Sequence, residues 1–373
     1  MYHYFADITV ECDYILSYSQ AKSNILFEYF YQEDTMKKVK VAIIGYGGIA
    51  RNHNTSYHAL AGLDVPVELV AVCDKNTERL TQKLNFNLGG GETPLPEGIH
   101  FYNDIDDLLE KEDFDVADIC LPSFLHKDIA IKCLFAGKHV LCEKPMALSL
   151  EDCEAMIDAK NKSGKSLMIA HVIRFTQPYR YLKEHVEKKT YGELLELRLN
   201  RYSVYPSWSV GDYFNNISKC GGVALDTHIH DIDFVQTFLG QPISVSAIEH
   251  TNIPYIQSVN SRLHYKNAII IANCAWDATF EVPFKANYRA RFERATITYD
   301  NDELKVFPYG QEAFSPAFAH TDPCTDQIRY FIETLIYESK VNDTCPPEST
   351  IQGIKIIEAI RESALLGGKI VML

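Results

Sequence analysis

Two short stretches combine residue types that can act on a proton or a hydroxyl group. In the first, Lys144 stands between Glu143 and Pro145, directly after a short apolar run that ends at Cys142. Ligands of open parallel sheets bind beyond the carboxyl ends of the strands, so an ammonium group here can hydrogen-bond a hydroxyl and stabilise negative charge that develops on its oxygen. The proline restricts Lys144 to an extended backbone. Taken alone, a lysine at a strand end is more often simply solvated.

The second stretch places Asp226 four residues before His230, after the pair Gly221-Gly222. On an α-helix this spacing puts both side chains on one face. Histidine titrates near neutrality, so His230 can take the proton of an alcohol, with a carboxylate beside it. Two other interpretations stay open: a capped helix with a packed histidine, and a metal pair formed by His228 and His230. No further histidine or cysteine cluster supports the metal, so the sequence predicts none.

A glycine-rich turn precedes both stretches. The apolar run 39–44 leads into Gly45-x-Gly47-x-x-Ala50, which opens a helix-compatible stretch. In dinucleotide-binding turns one glycine allows the tight turn, one lets the backbone approach the pyrophosphate, and a small residue allows close helix packing. The first N–H groups of the helix then bind the anion. The predicted cofactor contacts in this turn are Gly45, Gly47, Gly48, Ile49 and Ala50.

An acid follows the next apolar run. Asp74 comes directly after residues 67–73, where a carboxylate can bond a ribose hydroxyl and repel a 2′-phosphate, which favours NAD. Lys75 and Arg79 could each bind a phosphate, so NADP stays possible. We therefore predict that Asp74 and Arg79 contact the cofactor. Four further predicted contacts at the same sheet edge are Pro122, His126, Glu143 and Lys144.

The first half of the chain alternates short apolar runs with helical stretches. Runs at 39–44, 67–73, 116–121, 139–142 and 167–170 read as strands, and helical stretches such as 129–135 and 150–163 lie between them. This order predicts a parallel doubly wound sheet, the Rossmann architecture. We assign residues 36–165 to this nucleotide-binding domain.

The second half has a different pattern. Stretches at 194–205, 243–250, 258–265, 268–275 and 286–299 alternate apolar with polar residues, as half-exposed antiparallel strands do. Helices are predicted at about 230–238, 326–339 and 350–366. The sequence thus predicts an α+β domain over residues 166–373 with an open, mainly antiparallel sheet. Its candidates for substrate contact are Arg174, Tyr202, Trp208 and His230, although aromatic residues on alternating strands are more often part of the core.

Composition limits the classes of function. The chain has 373 residues, 46% hydrophobic and 23% charged, with a net charge of −14, which argues against the basic surface of a nucleic-acid binder. Ten cysteines show no disulfide or metal spacing, and we expect a cytoplasmic protein. No run reaches the ~18 apolar residues of a membrane span. Residues 1–35 are rich in aromatic residues without periodicity, and we expect either a start at Met36 or an aromatic arm on a neighbouring subunit.

With these motifs in this order, the chain resembles the Gfo/Idh/MocA oxidoreductases, the family of glucose-fructose oxidoreductase and inositol dehydrogenase. The resemblance covers essentially residues 36–373. The stretches that carry it are Gly45-x-Gly47-x-x-Ala50, the run from Gly137 to Pro145, Arg174-Phe175, the run from Gly221 to Asp233, and Pro347-Glu348-Ser349-Thr350.

The resemblance implies hydride transfer between a nicotinamide and a hydroxyl-bearing carbon of a sugar, polyol or related cyclic alcohol. Lys144 matches the catalytic lysine of the family, His230 its acid/base histidine, and Asp226 the acid one helical turn earlier. It also implies C-terminal helices that pack back on the first domain, and a homodimer or homotetramer formed through the open sheet. The alternatives are an enzyme that uses NAD without net oxidation, as some glycosidase relatives do, and a cofactor-sensing regulator without catalysis.

Overall fold

Short β-branched runs bounded by glycines and acids build the first sheet. A computed structural model of the chain describes residues 37–76, 78, 93–206, 210–253, 255–279, 281–319, 321–337 and 341–373. The first sheet has six parallel strands in the order β3-β2-β1-β4-β5-β6, so the strand order reverses beside β1. Its strands are β1 (Val39–Ile44), β2 (Val67–Cys73), β3 (His100–Tyr102), β4 (Val116–Ile119), β5 (His139–Glu143) and β6 (Leu167–Ala170).

Helices connect these strands and cover both faces of the sheet. Asp104 and Ser149 cap two of the helices with their side-chain oxygens, as Asp and Ser commonly do at helix starts. The helices of this half are α1 (Gly48–Ala61), α2 (Ile105–Lys111), α3 (His126–Phe135) and α4 (Leu150–Ser163).

The second sheet has eight strands in the order β13-β12-β11-β7-β10-β9-β8-β14. It is antiparallel except where β7 runs parallel to β10. Buried and exposed positions alternate along β9 and β10, which leaves one face of the sheet open. Its strands are β7 (Leu194–Val204), β8 (Ser244–Ile253), β9 (Ile256–His264), β10 (Ile269–Asp277), β11 (Lys285–Phe292), β12 (Ala295–Asp300), β13 (Glu303–Pro308) and β14 (Val371–Met372).

Among the described residues, five further α-helices belong to the second half, together with one π-helical turn over Ala224–His228 that leads directly into α7. They are α5 (Gln177–Glu187), α6 (Ile217–Cys220), α7 (Ile229–Leu239), α8 (Pro323–Ile336) and α9 (Pro347–Leu365). None of the described helices is both long and apolar enough to span a membrane.

The C-terminal helix α8 packs against the first half of the chain. Ile328 and Phe331 of α8 are buried in the same cluster as Val41 and Leu60 of the first sheet and α1. Residues 39–373 form one compact unit. The carboxyl ends of β4, β5 and β6 therefore lie under elements of the second half, which is the place where ligands of such sheets bind.

The predicted fold class, a Rossmann sheet followed by a mainly antiparallel sheet domain, is confirmed. One expected strand, 286–299, is instead a hairpin of β11 and β12, because Glu293-Arg294 forms the turn between them. β6 belongs to the first sheet, so that sheet extends beyond the predicted division at residue 165. The segment 1–35 lies outside the described residues.

Candidate active site

A cavity of about 630 Å³ lies at the carboxyl edge of the first sheet, within the ~300–1,000 Å³ typical of small-molecule sites. Both halves of the chain line it. The first half contributes the start of α1 and the end of β5, and the second half contributes the π-helical turn, α7 and the loop before β11. Among its lining residues are Glu143, Lys144, Asp226, Thr227, His230 and Trp276.

Lys144 is held in this cavity by Asp226. The ammonium Nζ donates to the Asp226 main-chain oxygen at 2.7 Å and to its carboxylate Oδ1 at 3.1 Å. Both side chains are about one-fifth exposed, 17% and 21%, so the pair is neither free in solvent nor sealed from a ligand. One of the three ammonium protons is left to point at a ligand oxygen. The Lys144–Pro145 peptide bond is cis.

The segment that carries Asp226 is not the α-helix that the sequence predicted. Gly221 has a φ of +77°, and a Cβ on it would lie 2.6 Å from Leu225, so the chain enters a π-helical turn from a conformation that favours glycine. π-turns of this kind often occur at functional sites. The side chain of Asp226 consequently bonds Lys144 and Thr227.

His230 lines the same cavity, close enough to Lys144 for the two groups to interact. Burial lowers the pKa of His230 well below its ordinary value, and the nearby positive charges of Lys144 and Arg201 lower it further. Its Nδ1 is buried and has no hydrogen-bond partner among the described residues. The imidazole is therefore neutral near pH 7 and can accept a proton.

Below the cavity, His53 of α1 connects two buried carboxylates. Its Nδ1 lies 2.8 Å from Asp118 Oδ2 and its Nε2 lies 3.2 Å from Glu143 Oε1. Burial would lower the pKa of His53, but the charge of Asp118 outweighs it and raises that pKa well above the ordinary value. The cation in turn lowers the pKa of Glu143 although burial would raise it. The second oxygen of Glu143 accepts the Lys144 backbone N–H at 3.1 Å, so the network fixes the backbone at Lys144.

Donor atoms of His53, Asp118 and Cys120 lie close enough together to bind a metal ion. The contacts fit a hydrogen-bonded network better, because both ring nitrogens of His53 face carboxylates and Tyr57 donates to Asp118 at 2.9 Å. A doubly protonated imidazole has no lone pair for a metal. The other candidate metal pair, His228 and His230, has its two rings in different surroundings. His228 Nε2 lies 2.9 Å from Ser261 Oγ, whereas the ring of His230 lines the cavity.

The glycine turn has the shape that a dinucleotide requires. Gly45 has a φ of +89°, and a Cβ there would lie 2.8 Å from Leu121 and 2.9 Å from the Cys120 oxygen. A Cβ on Gly47 would meet nothing within 4 Å, and no side chain caps the first N–H groups of α1. Open space in front of free N–H groups suits a phosphate.

We predict that two alanine substitutions in this turn affect different properties, the first the stability of the protein and the second its affinity for NAD. Gly45→Ala should lower the free energy of unfolding by about 1–3 kcal/mol because of its backbone conformation and its contacts. Gly47→Ala should leave the melting temperature unchanged, since its φ of −85° suits any residue, but should weaken NAD binding because the methyl group occupies the cofactor's space. Thermal unfolding and cofactor titration measure the two effects separately. Unchanged NAD affinity in Gly47→Ala would contradict the assignment.

Asp74 lies at the end of β2, as predicted, and also braces the glycine turn. Its two oxygens accept the backbone N–H groups of Tyr46 at 2.7 Å and Asn76 at 2.8 Å. Its contact with a ribose stays a prediction. Arg79, the other residue expected there, lies outside the described part of the chain.

His126 and Pro122 do not line the cavity. The ring nitrogens of His126 each lie 2.8 Å from a carbonyl oxygen, those of Pro145 and Leu121, and burial lowers its pKa. Pro122 precedes a short 3₁₀ turn. His126 thus connects the segments that follow β4 and β5, and the predicted cofactor contacts of both residues stay predictions.

The other substrate candidates have different surroundings. Arg174 is buried in a bidentate pair with Asp233, at 2.6 and 2.8 Å, and does not line the cavity. Tyr202 donates to Asn200 on the open face of the second sheet, whereas its strand neighbour Arg201 lines the cavity, because successive side chains of a strand point to opposite faces. Trp208 lies outside the described residues.

Several residues around the cavity carry no signal in the sequence. Arg201 is buried against Asp231, at 2.8 Å. Asn52 of α1 and Gln327 of α8 also line the cavity. The start of α8 was readable from the capping pair Asp322-Pro323, but its position beside α1 depends on tertiary packing.

The open face of the second sheet carries a row of side-chain amides. Asn260, Asn273, Asn200 and Asn287 each donate to the next across neighbouring strands, and the row ends at Asp300. The predicted homo-oligomer through this face stays a prediction.

The glycine turn and the six-stranded parallel sheet define a dinucleotide-binding protein of the Rossmann class. Residues 39–171 match the model of an oxidoreductase family with an NAD-binding Rossmann fold, and residues 179–298 match the GFO/IDH/MocA C-terminal domain. Together these stretches cover more than half of the chain. The protein belongs to the GFO/IDH/MocA family, and its N-terminal domain is an NAD-binding domain.

Relatives with named activities match part of the chain. The D-glucoside 3-dehydrogenase of Escherichia coli is 31% identical over 58% of this chain and 58% of its own length. The myo-inositol 2-dehydrogenase of Thermotoga maritima is 31% identical over 55% of this chain and 56% of its own length. The matched part thus spans little more than half the length of these relatives.

A solved structure is similar over nearly the whole chain. An oxidoreductase from Agrobacterium radiobacter, determined with NAD+, L-tartaric acid and magnesium, has a TM-score of 0.75 over 90% of this chain and 98% of that one, at 20% identity. This likeness supports the fold.

Proposed function

We propose that the protein is an NAD-dependent oxidoreductase that oxidises a CH–OH group of a sugar, polyol or related cyclic alcohol, or catalyses the reverse reduction. The observation that carries the proposal is the bond between Lys144 Nζ and Asp226, at 3.1 Å, in a cavity that His230 also lines. Lys144, a donor from the nucleotide domain, and His230, a neutral base from the second domain, thus line one cavity beside the dinucleotide turn.

Each of the three residues has a separate task. His230 takes the hydroxyl proton, since its lowered pKa keeps it neutral. The Lys144 ammonium donates a hydrogen bond to the same oxygen and stabilises charge on it. Asp226 holds the ammonium in position rather than tuning His230, as its contacts indicate. When bound, NAD supplies the acceptor for the hydride that leaves carbon.

The names of the relatives support the substrate class. Both are dehydrogenases that act on hydroxyl-rich ring compounds. Both basic side chains that line the described part of the cavity are paired with carboxylates: Lys144 with Asp226, and Arg201 with Asp231. A neutral polyol needs hydrogen-bond partners rather than an unpaired charge. The carboxylate of Asp74 favours NAD over NADP by repelling a 2′-phosphate.

Cofactor binding followed by a substrate panel tests the proposal. We expect NAD to raise the melting temperature of the purified protein more than NADP does, since a ligand of the native state stabilises it. Incubation with NAD and a panel of cyclitols, polyols and sugars should then produce NADH with at least one of them. NAD binding without turnover across the panel would contradict the proposal and favour the regulator. Conversion of a sugar without net NADH would favour the alternative that uses NAD without net oxidation.

A further inference from the structure

Two side-chain amides face the cavity with unsatisfied oxygens. Gln327 on α8 is only 1% exposed and lines the cavity, as does Asn52 on α1. Gln327 Oε1 and Asn52 Oδ1 are both buried and have no hydrogen-bond partner among the described residues. Buried acceptors without partners are rare and costly in native proteins, so the pair indicates a donor that a ligand brings.

The two amides belong to helices that are fixed against each other. Thr325 Oγ1 of α8 donates to Ser56 Oγ of α1 at 3.0 Å in a fully buried position. Asn52 lies one helical turn before Ser56 and therefore on the same face of α1, toward α8. Gln327 lies in the same first turns of α8 as Cys324, which also lines the cavity.

Chemistry limits what the missing donor can be. The two oxygens belong to residues that line one cavity, and each needs a donor hydrogen. A primary carboxamide carries two N–H donors on one nitrogen, so a single group of this kind can satisfy both oxygens. The ring that bears such a carboxamide in NAD must lie near Lys144 and His230 if the proposed function is correct, and the cavity is continuous between those residues and the two amides.

We propose that Asn52 and Gln327 form the binding site for the nicotinamide carboxamide, with each amide oxygen accepting one of its N–H groups. This assignment rests on the proposed function and adds a determinant of cofactor orientation to it. It gives α8, which lies far along the chain from the glycine turn, a direct role in cofactor recognition. It also places the nicotinamide over Cys324, a cysteine that is not fully buried.

Cofactor analogues test the carboxamide contact directly. In the 3-acetylpyridine analogue a methyl group replaces the –NH2, so it cannot donate to either oxygen. We expect wild-type protein to bind NADH about tenfold to a hundredfold more tightly than the reduced analogue, because two buried acceptors are left unpaired by the analogue. Dissociation constants from calorimetry avoid any effect of the analogue on hydride transfer.

Substitutions at Gln327 locate the effect. Gln327→Leu should remove most of the preference for NADH and leave the affinity for ADP-ribose unchanged. Gln327→Glu keeps acceptor oxygens in the same shape and should retain the preference, which guards against a folding defect in the leucine variant. Gln311→Leu, at an exposed position, is the control and should behave as wild type. Equal binding of NADH and the analogue by wild-type protein would overturn the proposal.

Alkylation of Cys324 supplies an independent measurement. NADH should slow its reaction with iodoacetamide, followed by peptide mass spectrometry, whereas ADP-ribose, which has no nicotinamide, should not. Equal protection by both ligands would overturn the placement of the ring. If the analogue data fail while the alcohol panel still produces NADH, only the carboxamide site is refuted. If NADH neither binds nor forms, the proposed function fails with it.

Discussion

Replacement of Lys144 by methionine should lower kcat for the true substrate by about 10²–10³-fold, the usual effect of removing one preorganised donor to a developing oxyanion. Methionine keeps much of the length and apolar surface of the lysine stem. The ammonium that bonds Asp226 at 3.1 Å is lost, and so is the hydrogen bond to the substrate oxygen. Stopped-flow measurement of NADH formation at saturating substrate separates this effect from binding.

Lys138→Met is the matched control for this experiment. Lys138 comes just before the same strand, at its opposite end, where its Nζ donates to the Phe114 carbonyl at 2.7 Å and does not line the cavity. We expect kcat near the wild-type value, even if the melting temperature falls. The role assigned to Lys144 would be refuted by near-wild-type kcat in a folded Lys144→Met protein that still binds NADH.

The first sheet was predictable because buried parallel strands are continuous apolar runs with clear ends. The strands β1, β2 and β6 agree with the predicted runs at 39–44, 67–73 and 167–170. The glycine turn and the lysine follow such runs directly. A strand end fixes where a side chain lies, so Lys144 could be assigned to the sheet edge without knowledge of the second domain.

The second domain was less predictable because its strands carry polar residues on both faces. Along β7, Arg201 is buried and lines the cavity while Tyr202 lies on the open face. The sequence favoured the tyrosine, since an arginine is rarely buried unless it is paired. Its partner Asp231 lies on α7, and that contact could not be predicted from the spacing.

The relation between Asp226 and His230 was also hard to predict, because Asp226 lies in a π-helical turn that precedes His230. Spacing of four residues predicts one face only on a regular α-helix, and the turn over Ala224–His228 departs from that geometry. Asp226 was expected beside His230, but its observed hydrogen bonds go to Lys144 and Thr227. Gln327 and Asn52 line one cavity only because α8 packs on α1, a long-range contact that local patterns do not encode.

Substitution of His230 should have the other large effect. His230→Asn removes the base and should lower kcat/KM for alcohol oxidation by about 10²–10⁴-fold. In wild-type protein the base must be unprotonated, so kcat/KM falls as the pH drops below the pKa of His230. Because burial, Lys144 and Arg201 lower that pKa well below 6.5, the acid limb of the profile should lie below pH 6.5, and the asparagine variant should lack this limb.

The cause of the low pKa can be tested without turnover. In Lys144→Met the positive charge beside His230 disappears and the carboxylate of Asp226 loses its partner, and both changes favour the imidazolium, so the pKa of His230 should rise. Titration of the His230 imidazole by NMR in the two proteins measures this shift. The signal that disappears in His58→Asn belongs to a histidine on the exposed side of α1 and serves as the reference for a surface imidazole. An acid limb at or above pH 6.5, or a pKa that is insensitive to Lys144, would mean that the lysine and the histidine do not share one site, and the proposed division of proton transfer and charge stabilisation between the two domains would fail.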